Sequence, residues 1–225
     1  MITSKSRKYW LCFGLIAVFL VVDQIVKIWV KTHMMLGEEI PLIGDWCMLH
    51  FVENKGMAFG MAFGGDVGKL ILTLFRFVAS VALCIFLVHL IKKETRTTLL
   101  VSISLIIAGA VGNLIDCCFY GVIFSDNYYQ VATLFPEGGT QGRFLYGAVV
   151  DMFYFPLIET TLPTWIPFWG GNRFEFFDAI FNVADSAITI GAILLIVDQL
   201  LSNKKDNEVE VDNVENEDVV ENLQK

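Results

Sequence analysis

Four stretches of the chain stay apolar for about 20 residues each: Trp10 to Val30, Leu70 to Ile91, Leu99 to Phe119 and Phe177 to Leu201. That length crosses a hydrocarbon layer roughly 30 Å thick when coiled as a helix. A helix is required, because lipid offers no partner to an unpaired backbone group. Residues 31–69 follow another pattern. Their segment IPLIGDWCMLHFVENKGMAFGMAF alternates apolar positions with polar residues and glycines, which predicts short strands and turns. Residues 120–176 contain FPEGG and TLPTWIPFWGGN, whose prolines and glycines predict loops. Trp165, Phe168 and Trp169 in that segment predict an aromatic belt at a membrane–water boundary. The fold class that follows is mainly α and integral to the membrane. Four transmembrane helices carry a small extramembrane β-sheet, or cradle, and form one domain over residues 1–201.

Charge gives the helices a direction. Lys5, Arg7 and Lys8 precede the first helix, Lys92, Lys93 and Arg96 fill the link between the second and third, and Lys204 and Lys205 follow the fourth. The long segments 31–69 and 120–176 are poor in lysine and arginine for their length. Positive charge stays on the cytoplasmic side, so both termini are expected there and both long segments on the outer, periplasmic face. The basic start followed by an apolar run is read as a retained anchor, since Asp23, Gln24 and Lys27 stand where a leader would have a small-residue cleavage site.

Composition agrees: 55% of residues are hydrophobic, 18% are charged, and the mean hydropathy is +0.60. The net charge of -8 is misleading, because much of the acid lies in the final DNEVEVDNVENEDVVENLQK. Residues 202–225 are expected to form a solvated, disordered cytoplasmic tail. No basic stripe with interleaved aromatics supports nucleic-acid binding. Cys12, Cys47, Cys84, Cys117 and Cys118 form no C-x-x-C pair, and His33, His50 and His89 stand apart. Neither a disulfide framework nor a metal site is expected, and no cofactor.

Ionisable and amide groups inside the membrane are expensive, so each needs a reason. The first helix carries Asp23 and Lys27, an i,i+4 pair in the favourable order. The second carries Arg76, which is open to snorkelling outward. In AGAVGNLID of the third, Gly109, Gly112, Asn113 and Asp116 share a face, the glycines allowing close approach of a neighbour. The fourth opens with FNVADS, where Asn182 and Asp185 share a face. With alternating helix directions, these groups reach one layer near the outer boundary. Asn54 of ENKGMAFG and Asp151 of GAVVDMFYF can arrive there too. Two carboxylates brought together cannot both ionise cheaply, which makes Asp151 with Asp185 a candidate acid–base pair.

At these residues the sequence resembles lipoprotein signal peptidase, the signal peptidase II family of bacterial membrane aspartic proteases. DQIVK (Asp23–Lys27) matches the family's D-Q-x-x-K, and NKGMAF (Asn54–Phe59) matches N-x-G-x-A-F. GAVGNLID (Gly109–Asp116), VVD (Val149–Asp151) and FNVAD (Phe181–Asp185) match the remaining blocks in order. The resemblance implies that Asp151 and Asp185 are the catalytic dyad. It places Asn54, Gly56, Asn113 and Asn182 in the lining of the site, with Asp116 supporting it and Asp23 and Lys27 in a structural role. It further implies lipidated prolipoprotein signal peptides as substrate, a surround of membrane lipids and a monomeric bundle. Two departures stand out. Cys117 replaces the arginine that usually follows the G-N-x-x-D aspartate, leaving Arg143 and Arg173 as alternative cations. About 30 residues, from Cys117 to Gly147, intervene before VVD, where the family usually has a few.

Two rival readings remain. A Ser–Lys protease could use Ser186, although adjacent helical residues point about 100° apart and Lys27 would have to reach it. A small ion-coupled transporter could use the buried carboxylates as a proton relay, but would favour midplane polar groups and internal repeats.

Overall fold

The computed structural model describes residues 4–56, 65–176 and 178–202. The expected acidic tail beyond 202 and the Met57–Phe59 part of NKGMAF lie outside the described residues. The described residues form four membrane-length helices: α1 (Ser4–His33), α2 (Gly65–Lys92), α3 (Thr97–Ile115, continued to Ile123) and α5 (Val183–Ser202). The continuation of α3 is a π-helical turn, Asp116–Tyr120, followed by the single turn α4 (Gly121–Ile123). α3 is the central helix. Over its most apolar stretch 61% of residues are buried, against 17% in α1 and α2, whose outward faces are apolar and exposed as lipid contact requires.

Where α1, α2 and α3 meet, Cys12, Ile16, Leu87, Ile91, Leu100 and Ile107 form one apolar cluster. At the same end Lys8 Nζ donates to the carbonyls of Glu94 (3.0 Å) and Thr95 (2.8 Å), satisfying groups that the end of α2 leaves free. A second cluster joins the bundle to a sheet, with Val30 of α1 and Met34 just beyond it meeting Phe51, Tyr120, Val150 and Met152.

The sheet is antiparallel, in the order β1 (Glu39–Ile43), β2 (Cys47–Asn54), β3 (Val149–Tyr154), β6 (Ile180–Phe181). Strands in 31–69 match the expectation, and FPEGG and most of TLPTWIPFWGGN form turns and loops as expected, but 120–176 also holds strands that its prolines and glycines do not predict. β3 lies inside that segment, and β4 (Ile158–Thr161) pairs with β5 (Arg173–Phe176) as a separate two-stranded ribbon. β3 is buried on both faces, which explains its continuous apolar run: Val150 and Met152 face the helices, while Asp151 takes the alternate face. The fourth membrane helix also begins later than Phe177. Ile180 and Phe181 belong to β6, and the helix starts only at Val183.

The π-helical turn shapes the long insertion. Its widened backbone leaves carbonyls free, and the returning strap uses them: Gly147 N–H donates to Cys117 O (2.8 Å) and Leu145 N–H to Cys118 O (3.1 Å). A Cβ on Gly147 would lie 2.0 Å from the Asp116 carbonyl oxygen, so only glycine permits this crossing immediately before β3.

Candidate active site

Lys27 is the innermost charge of the site. Its side chain is fully buried, and its three N–H donors are committed to Asp23 Oδ2 (2.9 Å), Asp116 Oδ2 (2.8 Å) and Asn113 Oδ1 (2.8 Å). The i,i+4 pair read from the sequence is thus one edge of a larger cluster. Gln24 closes it by donating to Asp116 Oδ1 (3.0 Å) and the Gly112 carbonyl (3.3 Å), while Tyr120 OH donates to Gln24 Oε1 (3.1 Å). Asp116 Oδ2 also accepts the Val150 N–H (3.4 Å), one residue from Asp151.

Lys27 fixes the orientation of Asn113. An ammonium only donates, so Asn113 must present its oxygen to it and its Nδ2 elsewhere. That Nδ2 donates to Asp185 Oδ1 at 2.8 Å. The approach depends on α3 lying against α5, where Gly109 removes the side chain that would strike the Ala184 carbonyl.

FNVADS is the N-terminus of α5. Asn182 Oδ1 accepts the Asp185 N–H (2.8 Å), and Asp185 Oδ2 accepts the Asn182 N–H (3.4 Å). This is the reciprocal geometry of a capping box, with amide and carboxylate in its two roles. Asp23 Oδ1 accepts the Ala184 N–H (2.9 Å), satisfying a further free donor of the first turn. The cap leaves Asn182 Nδ2 free to donate to Asp151 Oδ1 (2.6 Å) and Asn113 Oδ1 (3.2 Å). Asp151 and Asp185 are therefore joined through two amides, Asn182 and Asn113, whose orientations trace back to Lys27.

Asp151 is buried, and its carboxyl is pushed up to about 7. Burial is the largest cause and the neighbouring Asp185 adds repulsion, while hydrogen bonds from Asn182 and Asn54 pull the other way. Asn54 lies on β2, with Val149 and Val52 opposite Asn54 and Asp151 respectively in the ladder. Its Oδ1 accepts the Gly56 N–H (2.8 Å) across a backbone turn at φ +84°, a conformation that favours glycine.

The cations settle differently from the sequence expectation. Arg143 pairs with Asp66 and stacks over the Tyr146 ring, 4.2 Å from its centre, and Arg173 lies on β5. Arg76 turns inward, not outward, and its Nη1 donates to Cys117 Sγ at 3.1 Å. Ser186 Oγ donates to the Asn182 carbonyl (3.0 Å), a bond internal to the first turn of α5. With Lys27 enclosed by carboxylates, a Ser186–Lys27 pairing has no geometric basis. Gln24 and Tyr120 were not singled out from the sequence. The amide beside Asp23 in a membrane helix was the one available signal.

The family model for signal peptidase (SPase) II matches residues 15–201. The chain belongs to the signal peptidase II family. It is 55% identical to the lipoprotein signal peptidase of Porphyromonas gingivalis over 186 residues, 82% of this chain and 80% of the relative. It is 36% identical to that of Amoebophilus asiaticus, covering 88% of this chain and 80% of the relative. With the protein of the same name from Staphylococcus aureus it shares 33% identity over 90% of this chain and 98% of the other. A solved bacterial membrane enzyme, obtained by the in meso method at 2.3 Å resolution, superposes with a TM-score of 0.56 at 25% identity, over 86% of this chain and 90% of that one. The signal peptidase II family accounts for four apolar helices bearing a small antiparallel sheet, and makes this chain a membrane peptidase.

Proposed function

We propose that this protein is an aspartic endopeptidase that removes the signal peptide from diacylglyceryl-modified prolipoproteins, cutting just before the lipidated cysteine. The observation that carries the reading is the network just described. Two carboxylates on different elements are linked through Asn182 and Asn113, and one of them holds its proton to about neutral pH.

The mechanism uses one ionised and one protonated carboxyl. The ionised member takes a proton from water as the water oxygen attacks the scissile carbonyl carbon. The protonated member gives its proton to the carbonyl oxygen, forming a tetrahedral diol. A proton then passes to the amide nitrogen, the C–N bond breaks, and the carbonyl re-forms as the carboxyl end of the released signal peptide. The cysteine amine leaves with the lipidated protein. The proton belongs to the pair, which titrates as a unit. The side chains of Asn54 and Asn182, already bonded to Asp151, lie where they can orient substrate and stabilise developing charge.

Basic residues at Lys5, Arg7, Lys8, Lys92, Lys93 and Arg96 put both termini in the cytoplasm. The dyad then lies at the outer, periplasmic boundary, where a signal helix in the bilayer can present its C-terminal end. A single copy supplies every residue that this mechanism uses. A transporter reading finds less support, since the polar groups gather at one end of the bundle.

Replacing Asp151 or Asp185 by Asn tests the assignment. Each variant is expected to lower cleavage of a lipidated precursor in membranes by about 10³-fold or more. Processing at the normal rate in both would sink the mechanism.

A further inference from the structure

The two candidate catalytic strands are the roots of one long arm. In the four-stranded sheet β3 pairs with β6 as Phe153–Phe181 and Tyr154–Ile180. In the separate ribbon β4 pairs with β5 as Ile158–Phe176, Glu159–Glu175, Thr160–Phe174 and Thr161–Arg173. The count runs through without a slip: four residues forward on one strand meet four back on the other. The ribbon therefore continues the β3–β6 ladder, in register, beyond a break in pairing. Asp151 lies at the root of one strand, and Asn182 and Asp185 follow the root of the other.

The tip is built to be dry on its outside. No charged residue stands between Glu159 and Arg173. Trp165 is 79% exposed, Phe168 100% and Trp169 68%. The loop supporting them is not loose. Leu162 N–H donates to Asn172 O (2.9 Å), Gly171 N–H to Leu162 O (2.8 Å), Ile166 N–H to Pro163 O (3.1 Å) and Gly170 N–H to Ile166 O (2.9 Å). Phe168 is held at φ +68°, a backbone region that a bulky residue seldom enters. An ordered loop that satisfies its own backbone and spends strain to display three aromatic rings needs an apolar partner. Its root is one residue from α5, a membrane-crossing helix with an apolar exposed face, so the nearest such partner is the bilayer itself. Tryptophan is the side chain most suited to the headgroup boundary, having an apolar body and one N–H donor.

We propose that the β4–β5 ribbon, residues 158–176, forms an interfacial anchor. The aromatic tip lies in the headgroup boundary of the bilayer and, through the two in-register ladders, holds the two aspartates at a set height relative to the lipid. Only the second half of this statement rests on the dyad reading.

The test uses the full chain in lipid nanodiscs. Variants keep Trp165 or Trp169 as the sole tryptophan, the other four of the chain's five being changed to Phe. Emission is expected to be blue-shifted, to be lost when the phosphatidylcholine is brominated close to the headgroup, and to resist aqueous acrylamide. Acrylamide access with no effect of brominated lipid overturns the anchor, as does protection that appears only in discs holding two copies. This readout needs no activity, so it stands even if the Asp151→Asn and Asp185→Asn variants prove fully active. For the height of the site, a triple Trp165→Ser, Phe168→Ser, Trp169→Ser variant is assayed in nanodiscs and in detergent micelles. The expected result is about a tenfold lower kcat/KM in nanodiscs with little change in micelles, since small misplacements of reacting groups are costly. Equal loss in both media, or none in either, overturns the positioning role.

Discussion

Lys27 orders the site from the interior of the bundle. It neutralises part of the charge on Asp23 and Asp116, and its third donor decides which way Asn113 points. Lys27→Met would leave two carboxylates facing each other in the interior. Breaking a buried pair by removing one partner costs about 3–5 kcal/mol, so thermal unfolding in detergent should show a loss of that order. A loss below about 1 kcal/mol would put Lys27 in the class of weak surface pairs. Asp151 makes the complementary prediction about pH. Its folded-state carboxyl titrates at about 7, above the ordinary 3.8, so the folded state holds the proton more tightly than the unfolded chain does. That contribution to stability is complete below about pH 4 and is lost as pH rises through about 7. The melting temperature should therefore fall between about pH 4 and pH 7 in the parent protein and level off above, and Asp151→Asn should flatten that fall. Activity should show an alkaline limb: cleavage should weaken above about pH 7, where the proposed dyad surrenders its shared proton. An unchanged melting profile in Asp151→Asn would remove Asp151 as the group responsible.

At the scale of elements, the contact between α3 and α5 sets the Asn113–Asp185 geometry of the proposed dyad. A Cβ at Gly109 would stand 2.1 Å from the Ala184 carbonyl oxygen, a backbone atom that cannot swing away. Gly109→Ala should cost about 1–3 kcal/mol by overpacking and, by pushing the helices apart, lengthen the Asn113–Asp185 bond. Gly138→Ala is the matched control, because nothing lies within 4 Å of a Cβ there. Comparable melting temperatures for the two variants would show that the helices can adjust. The close face of Gly109, Gly112, Asn113 and Asp116 was legible in the sequence, because it depends on local helical spacing. β3 was not. Its apolar run sits in a segment dense in proline and glycine, and its partner β2 is far away in the chain, so no local pattern marks it. The late start of α5 was obscured because β6 and the helix are both apolar. The Asn182–Asp185 capping spacing was the signal that could have separated them. The π-helical turn at Asp116–Tyr120 and the reach of Arg76 to Cys117 had no local signature, since both depend on how the strap returns to the bundle.

For the whole molecule, polarity is divided between two ends with different purposes. One end gathers carboxylates and amides around the proposed pair, Asp151 and Asp185. The other uses charge as fastening: Lys8 holds the turn after α2, and Arg96 Nη2 meets the buried Asp198 Oδ2 at 3.0 Å, tying the end of α5 to the α2–α3 link. Every side chain assigned to the site lies before this last tie, and the signal peptidase II match ends at 201. A chain ending at Ser202 should therefore insert, fold and cleave within about twofold of the parent, because it keeps the whole matched segment and every residue assigned to the site. Arg96→Ala in that shortened chain should behave otherwise. Removing the cation leaves Asp198 buried without its partner, at a cost of about 1–3 kcal/mol, and frees the distal end of α5. Because the end of α5 that carries Asp185 is fixed independently by Asp23, Asn113 and Asn182, the variant should melt earlier while keeping kcat close to the parent value at temperatures well below the transition. Measuring melting and kcat on the same preparations checks this separation. A parallel fall of both would mean that the two ends of the helix are coupled along its length.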